Sequence, residues 1–186
     1  MLAMADEPDD TFLAGKVVAD FGCGPRGSLC WATQAKERIG IDILADKYRR
    51  FGTDQHPMRY VQCSETQIPL PDESVDVIFT VNALDHVVNL HAICRELRRI
   101  LKPGGEIIGS FNLDEPACIN EPQVLTEQRV REVLLPDFHI SRRKLMAMGD
   151  LRQGRSDTSF AELADEDTPG PKKLWLRSQK PAPAPA

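Results

Sequence analysis

The chain has 186 residues, 41% of them hydrophobic, and a formal net charge of −5. That is enough for one domain with its own core and scarcely enough for two. The acidic balance argues against a dedicated nucleic-acid binder or an anionic-membrane ligand. No apolar run approaches the ~20 residues a bilayer span needs. The start, Met1 to Asp10, is acidic and lacks the apolar core of a signal peptide; a cytoplasmic protein is expected.

In chain order, residues 1–15 read as a disordered or loosely docked lead to a single domain over 16–178. A strand is predicted at Lys16–Phe21, followed by a glycine loop and a short helix over Ser28–Ala35. "RIGID", Arg38–Asp42, reads as a second strand and Leu44–Phe51 as a helix. Met58–Cys63 alternates as a third strand, and Ile68–Ser74 carries turn chemistry. Val75–Val81 is β-branched and continuous, as a buried fourth strand is. Asn89–Leu101 places Leu90, Ile93, Cys94, Leu97, Ile100 and Leu101 on one helical face. Arg95, Glu96, Arg98 and Arg99 are read as the solvated face.

Lys102-Pro103-Gly104-Gly105 stops that helix, and Glu106–Phe111 returns as strand five. Asn112–Leu125 is a polar loop. Thr126 is placed to cap a helix running to Leu135, and Phe138–Leu145 forms strand six. Met146–Pro171 reads as a second long loop, Lys172–Ser178 as a last strand, and residues 179–186 as a Pro/Ala tail. Alternating strands and helices imply a doubly wound, mostly parallel sheet. The last two strands, with no helix between them, imply an antiparallel hairpin at one edge. Ligands in such sheets bind beyond the carboxyl ends of the strands. The residues there are Asp20–Gly27, Asp42, Cys63–Thr66, Asn82–His86 and Phe111–Asp114.

Gly22, Gly24 and Gly27 make a G-x-G-x-x-G loop after strand one, and Asp42 ends strand two. The spacing suits an adenosine cofactor whose ribose hydroxyls Asp42 accepts, whether a nicotinamide dinucleotide or S-adenosylmethionine. Asp20, two residues before Gly22, separates them. A carboxylate there repels a pyrophosphate, which such loops bind through backbone N–H groups at a helix N-terminus. It suits the ammonium and sulfonium of S-adenosylmethionine.

Asp20-Phe21-Gly22-Cys23-Gly24, Gly40-Ile41-Asp42, Ile68-Pro69-Leu70-Pro71-Asp72, Ser74-Val75-Asp76-Val77-Ile78, Leu84-Asp85-His86-Val87 and Leu101-Lys102-Pro103-Gly104-Gly105 follow one another in this order. Together they resemble a class I S-adenosylmethionine-dependent methyltransferase of the small-molecule, type 11 group. The resemblance covers about residues 16–111. It implies a Rossmann-like α/β sheet of about seven strands with an antiparallel terminal strand. It also implies S-adenosyl-L-methionine as cofactor. By the same resemblance Asp20, Gly22 and Gly24 line the methionine moiety, and Asp42 holds the ribose. Ser64 and Glu65 lie at the adenine edge, Asn82 lies on the methionine side, and Cys23, Gly27 and Ile43 are further cofactor-binding residues. The chain departs from the pattern where relatives often carry Asp-Ala in place of Ser64-Glu65, and Pro25-Arg26 displaces the third glycine. Most relatives also place helices before strand one, so a second subunit, in a homo-oligomer, is one source of the missing cover.

His86, with Asp85 beside it, is the candidate general base for a small-molecule hydroxyl such as a sugar or glycan precursor. His56, His91 and His139 show no partner spacing. No two histidines form an i, i+4 pair and no His/carboxylate cluster stands out in the sequence, so no metal is expected. The five cysteines, Cys23, Cys30, Cys63, Cys94 and Cys118, form no Cys-x-x-Cys pair. They read as reduced, mostly packed thiols. Two other classes fit part of the pattern. A nicotinamide-dependent oxidoreductase explains the glycines and Asp42 but not Asp20, and Tyr48 and Tyr60 supply no Tyr-x-x-x-Lys pair. A non-enzymatic S-adenosylmethionine-binding module explains the loop without turnover.

Overall fold

The structure is a computed structural model that describes residues 1–147, 170 and 172–182. Strands β1 (Val17–Phe21), β2 (Glu37–Asp42), β3 (Arg59–Gln62), β4 (Val75–Val81), β5 (Leu101–Leu113), β6 (His139–Ala147) and β7 (Lys172–Gln179) form one sheet in the order β3-β2-β1-β4-β5-β7-β6. The pairs from β3 to β5 are parallel; β7 runs antiparallel between β5 and β6. The edge hairpin expected from the sequence is therefore present, with its second strand inserted into the sheet. Most of Met146–Pro171, read as a long loop, lies outside the described residues.

Helices α3 (Leu90–Ile100) and α4 (Glu127–Leu134) cover one face of the sheet. The side chains of Asn89 and Thr126 cap them, accepting from Ala92 N at 3.1 Å and Arg129 N at 3.1 Å. Alternate strand residues divide between the two faces: Ala19, Phe21 and Ile78 join the helices' core, whereas Val18, Val77 and Phe79 join the opposite one.

That opposite face is covered by the segment expected to be loose. Helix α1 (Leu2–Ala5) and the 3₁₀ turn Asp10–Leu13 bury Met4, Ala5 and Leu13 against Val18, Val77, Phe79 and Ile108. Arg177 of β7 donates to Ala5 O at 2.7 Å and to Glu7 Oε1 at 2.6 Å, while its Nε holds Glu106 at 2.8 Å. Apolar burial and a shared arginine dock the lead, and neither partner is visible from the lead itself.

The helix expected over Ser28–Ala35 does not form. Gly27 to Ala35 is a chain of tight turns, with Cys30 N on Gly27 O and Ala32 N on Leu29 O, both at 3.0 Å. Leu29 and Ala32 are fully buried in the core of that face, which holds the turns in place. Asp10 of the lead also takes Thr33 Oγ1 and Gln34 N on its carboxylate at 3.0 Å. The helix expected over Leu44–Phe51 shortens to α2 (Ala45–Tyr48) with a 3₁₀ turn behind it. Strand β5 begins at Leu101, before the expected Glu106. Leu101 pairs Val75, the register shifts, and Lys180 closes the Pro-Gly-Gly bend with bonds to Gly104 and Gly105.

The polar face of α3 is not all solvated. Glu96 is buried and accepts from Ile68 N at 3.0 Å, and Arg99 binds Glu96, Asp72 and the carbonyls of Ile68 and Leu70. The pair clamps the 68–72 turn, and the Arg99 guanidinium holds the Glu96 carboxyl below the usual range. Glu96→Ala strands Ile68 N–H and removes a partner of Arg99. We expect it to lower unfolding free energy by roughly 2–3 kcal/mol in urea titration, with Glu96→Gln costing less. Because the folded pKa is depressed, this contribution is present above the unfolded carboxyl value and is lost as pH falls through the folded one.

Candidate functional site

The chain order reverses at β1 and β4, and a cavity of about 420 Å³ opens beyond the carboxyl ends of β1 to β4. Of the residues singled out from the sequence, Gly22, Gly24, Asp42, Ile43, Ser64, Glu65, Asn82 and His86 line it. Asp20, Cys23, Gly27 and Asp85 are not on its wall, and Phe111–Asp114 stays away from it.

The glycine loop is held open by its own geometry. Gly22 (φ 78°) lies so close to the next strand's exit that a Cβ there would sit 2.3 Å from Ala83 Cβ. Gly24 (φ 58°) faces the opposite situation, since nothing lies within 4 Å of the place its Cβ would take. Asp42 ties the loop to β2, its Oδ2 accepting from Gly24 N at 3.1 Å and its Oδ1 from Leu44 N at 2.9 Å. It therefore also caps the following turn. Ser64 spends its hydroxyl on Thr66 N and Gln67 N, closing a turn beside the exposed Glu65. Asn82 takes a left-handed backbone (φ 47°) and accepts Ser110 Oγ on its side chain at 3.2 Å.

Behind this wall Asp20 is 3% exposed, and its Oδ1 has no hydrogen-bond partner among the described residues. Burial pushes its carboxyl up to about 7; the Ser28 hydroxyl opposes that shift and the Asp42 carboxylate adds to it. Cys23 is buried beside Gly40, and desolvation pushes its thiol upward, with Asp20 and Asp42 adding. A thiol so shifted stays protonated and packs rather than reacts. Gly27 belongs to a different neighbourhood. Its N–H donates to Tyr60 Oη at 3.1 Å, and a Cβ there would meet Cys30 and His56.

Phe21, Cys63 and Ala83, in the stretches expected at the strand ends, also line it, and Leu44, Tyr48, Val87, Val88 and Ile93, which sequence reasoning passed over, complete the lining. Ile43, Leu44 and Val88 are 47%, 41% and 63% exposed, an apolar rim that a flat ring would cover. Their signal was a short apolar run after each strand end, indistinguishable in sequence from ordinary loop residues.

At the cavity's other end, His86 is tied to the Asn112–Leu125 loop. Its Nδ1 lies 2.9 Å from the Asn120 carbonyl, which can only accept, so Nδ1 donates and, in the neutral ring, Nε2 is the bare atom. Nε2 is 3.8 Å from both Asp85 Oδ1 and Glu121 Oε1. Gln123 holds the loop here, its N–H on Asp85 O and its Nε2 on the carbonyls of Val87 and Val88. The sequence showed no His/carboxylate cluster because Glu121 is distant along the chain; the structure assembles one.

A family model described as "Methyltransferase domain" matches residues 19–109. That stretch, just under half of the chain, resembles the methyltransferase domain. Its sequence is 30% identical over 105 residues to an uncharacterised methyltransferase of Mycobacterium sp. (strain JLS), covering 56% of this chain and 42% of that one. It is 35% identical over 97 residues to a malonyl-[acyl-carrier protein] O-methyltransferase of Yersinia pestis, covering 52% and 36%. The matches therefore span less than half the length of these relatives.

Among solved structures, the domain resembles an S-adenosylmethionine-dependent methyltransferase from Mesorhizobium loti, with TM-score 0.68 and 18% identity over 96% of each chain. It also resembles the [4+2]-cyclase SpnF, with TM-score 0.67 and 20% identity, over 97% of this chain and 79% of that one. The fold by itself thus does not select the reaction. S-adenosylmethionine is the cofactor that this resemblance implies, and the residues present fit it. The open space at Gly24, the apolar rim and the buried Asp20 carboxylate, with Oδ1 lacking a hydrogen-bond partner, each suit an adenosine bearing a cationic methionine. Among the described residues no helix is long and apolar enough to cross a membrane.

Proposed function

We propose that this domain is an S-adenosylmethionine-dependent methyltransferase acting on a hydroxyl of a small molecule, with sugars and glycan precursors first among the acceptors to test. The observation that carries the cofactor is the buried Asp20 carboxylate, one oxygen of which has no hydrogen-bond partner among the described residues, behind a glycine loop that no helix follows. A dinucleotide reading needs a helix N-terminus for the pyrophosphate, and here there are only turns. Oxygen as the acceptor atom is supported by the O-methyltransferase among the relatives.

Bound in the cavity, the sulfonium supplies an activated methyl carbon for in-line displacement. Asp42 accepts the ribose hydroxyls, and Ile43, Ser64 and Glu65 border the adenine. Gly22, Gly24 and the backbone of Asn82 border the methionine, Cys23 and Gly27 keep the loop's shape, and Asp20 balances the positive charge. His86, its Nδ1–H fixed by Asn120, takes the acceptor's proton on Nε2, and the adjacent Asp85 favours the resulting imidazolium.

Asp20 gives this reading a pH signature. Ionising its carboxylate favours a cationic ligand, so binding expels the proton that burial retains up to about pH 7. We expect the affinity for S-adenosylmethionine to rise between about pH 6 and 8. Calorimetry in buffers of different ionisation enthalpy should show proton release, and Asp20→Asn should flatten the profile. In the ligand-free protein the sign reverses for stability. A folded pKa above the unfolded value near ~3.9 means the folded state holds a proton the unfolded state has lost. The contribution is full below that value and declines as pH rises towards about 7. Binding of NAD in place of S-adenosylmethionine would overturn the assignment.

A further inference from the structure

The Asp85–His86–Glu121 cluster presents three electron-pair donors to one another with no donor hydrogen among them. Asp85 is 4% exposed, and neither of its carboxylate oxygens has a hydrogen-bond partner among the described residues. His86 Nε2 is bare because Nδ1 is the proton-bearing atom. The ligand atoms of the three residues lie within 4.8 Å of one another. A buried carboxylate facing a lone pair and a second carboxylate is costly unless a cation stands between them.

We propose that Asp85, His86 and Glu121 bind one divalent transition-metal ion. Two bonds of ~2.1 Å reach across ~4.2 Å, and Nε2 is 3.8 Å from each carboxylate oxygen. Half-buried Glu121, on its loop, closes the remaining distance. The Nδ1–H bond to a backbone carbonyl is the support that metal-bound histidines commonly have. One nitrogen and two carboxylates favour manganese, iron, cobalt or zinc over magnesium or calcium. With the ion bound, His86 Nε2 is a ligand and gives up the role of base; the metal would then lower the acceptor hydroxyl's pKa so that its proton leaves to solvent. Only this last role rests on the methyltransferase reading; the site itself does not.

The test uses untagged protein and Mn²⁺, a hard ion that avoids the cysteines, followed by the paramagnetic resonance signal of the free ion. Saturable uptake of one ion per chain is expected. It should weaken ~10–100-fold in Asp85→Asn, His86→Gln and Glu121→Gln, with broadening of the His86 ring resonances in the parent protein. The Glu121 variant, on an accessible loop, keeps the test open if the others fail to fold. Asp42→Ala should keep the ion while losing S-adenosylmethionine, so the two readings fail separately. No saturable uptake, or uptake indifferent to all three substitutions, would overturn the site.

Discussion

Asp42→Ala should abolish calorimetrically measurable binding of S-adenosylmethionine and S-adenosylhomocysteine. Hydrogen bonds to a charged group contribute about 1.5–3 kcal/mol each, so losing both ribose contacts weakens binding by at least roughly 100-fold. The same carboxylate also anchors Gly24 N and Leu44 N, so the loop loosens as its ligand contacts vanish. Asp42→Asn retains one acceptor oxygen and should lie between the two. The side chain is only partly buried, and the melting temperature should move little. A variant that binds either ligand within threefold of the parent would place the ribose elsewhere.

Gly22→Ala should be strongly destabilising. Its Cβ would sit 2.3 Å from Ala83 Cβ, and the residue would have to hold φ at 78°. Overpacking costs roughly 1–3 kcal/mol and the left-handed backbone about 1–2 more. At ~2–4 °C per kcal/mol for a domain of this size, melting should fall by about 10 °C, with cofactor binding lost. Ala83→Gly in the same chain removes the collision and leaves the backbone strain. It should therefore restore part of the stability, and no restoration would mean that the clash is not the cause. By contrast Gly24→Ala carries the strain but meets no atom within 4 Å. It should fold better than Gly22→Ala and still bind the cofactor poorly.

The strands were legible because their signal is local. Val75–Val81 could be read to the residue, and Asn89 and Thr126 were recognisable as caps because capping depends on a few neighbouring positions. The helix over Ser28–Ala35 was misread for the complementary reason. Its end is held by Asp10, which accepts from Gln34 N and Thr33 Oγ1 and belongs to a segment that local pattern marks as loose. Glu96 and Arg99 looked solvated because periodicity records which face a residue occupies, not whether the 68–72 turn is folded over that face.

The candidate site divides the same way. The glycine loop, Asp20 and Asp42 were identifiable from type and spacing, since each proposed cofactor contact comes from a strand end. What the amino-acid sequence determined by itself is therefore the alternation that builds the sheet and the strand-end edge where the cavity opens. Only tertiary structure decided that Asp20 is buried with Oδ1 unpaired, that the lead covers the second face, and that Glu121 meets Asp85 and His86. The reason is physical: burial and charge pairing depend on the neighbours the fold brings together, and Gln123 bonds a distant loop to the end of β4.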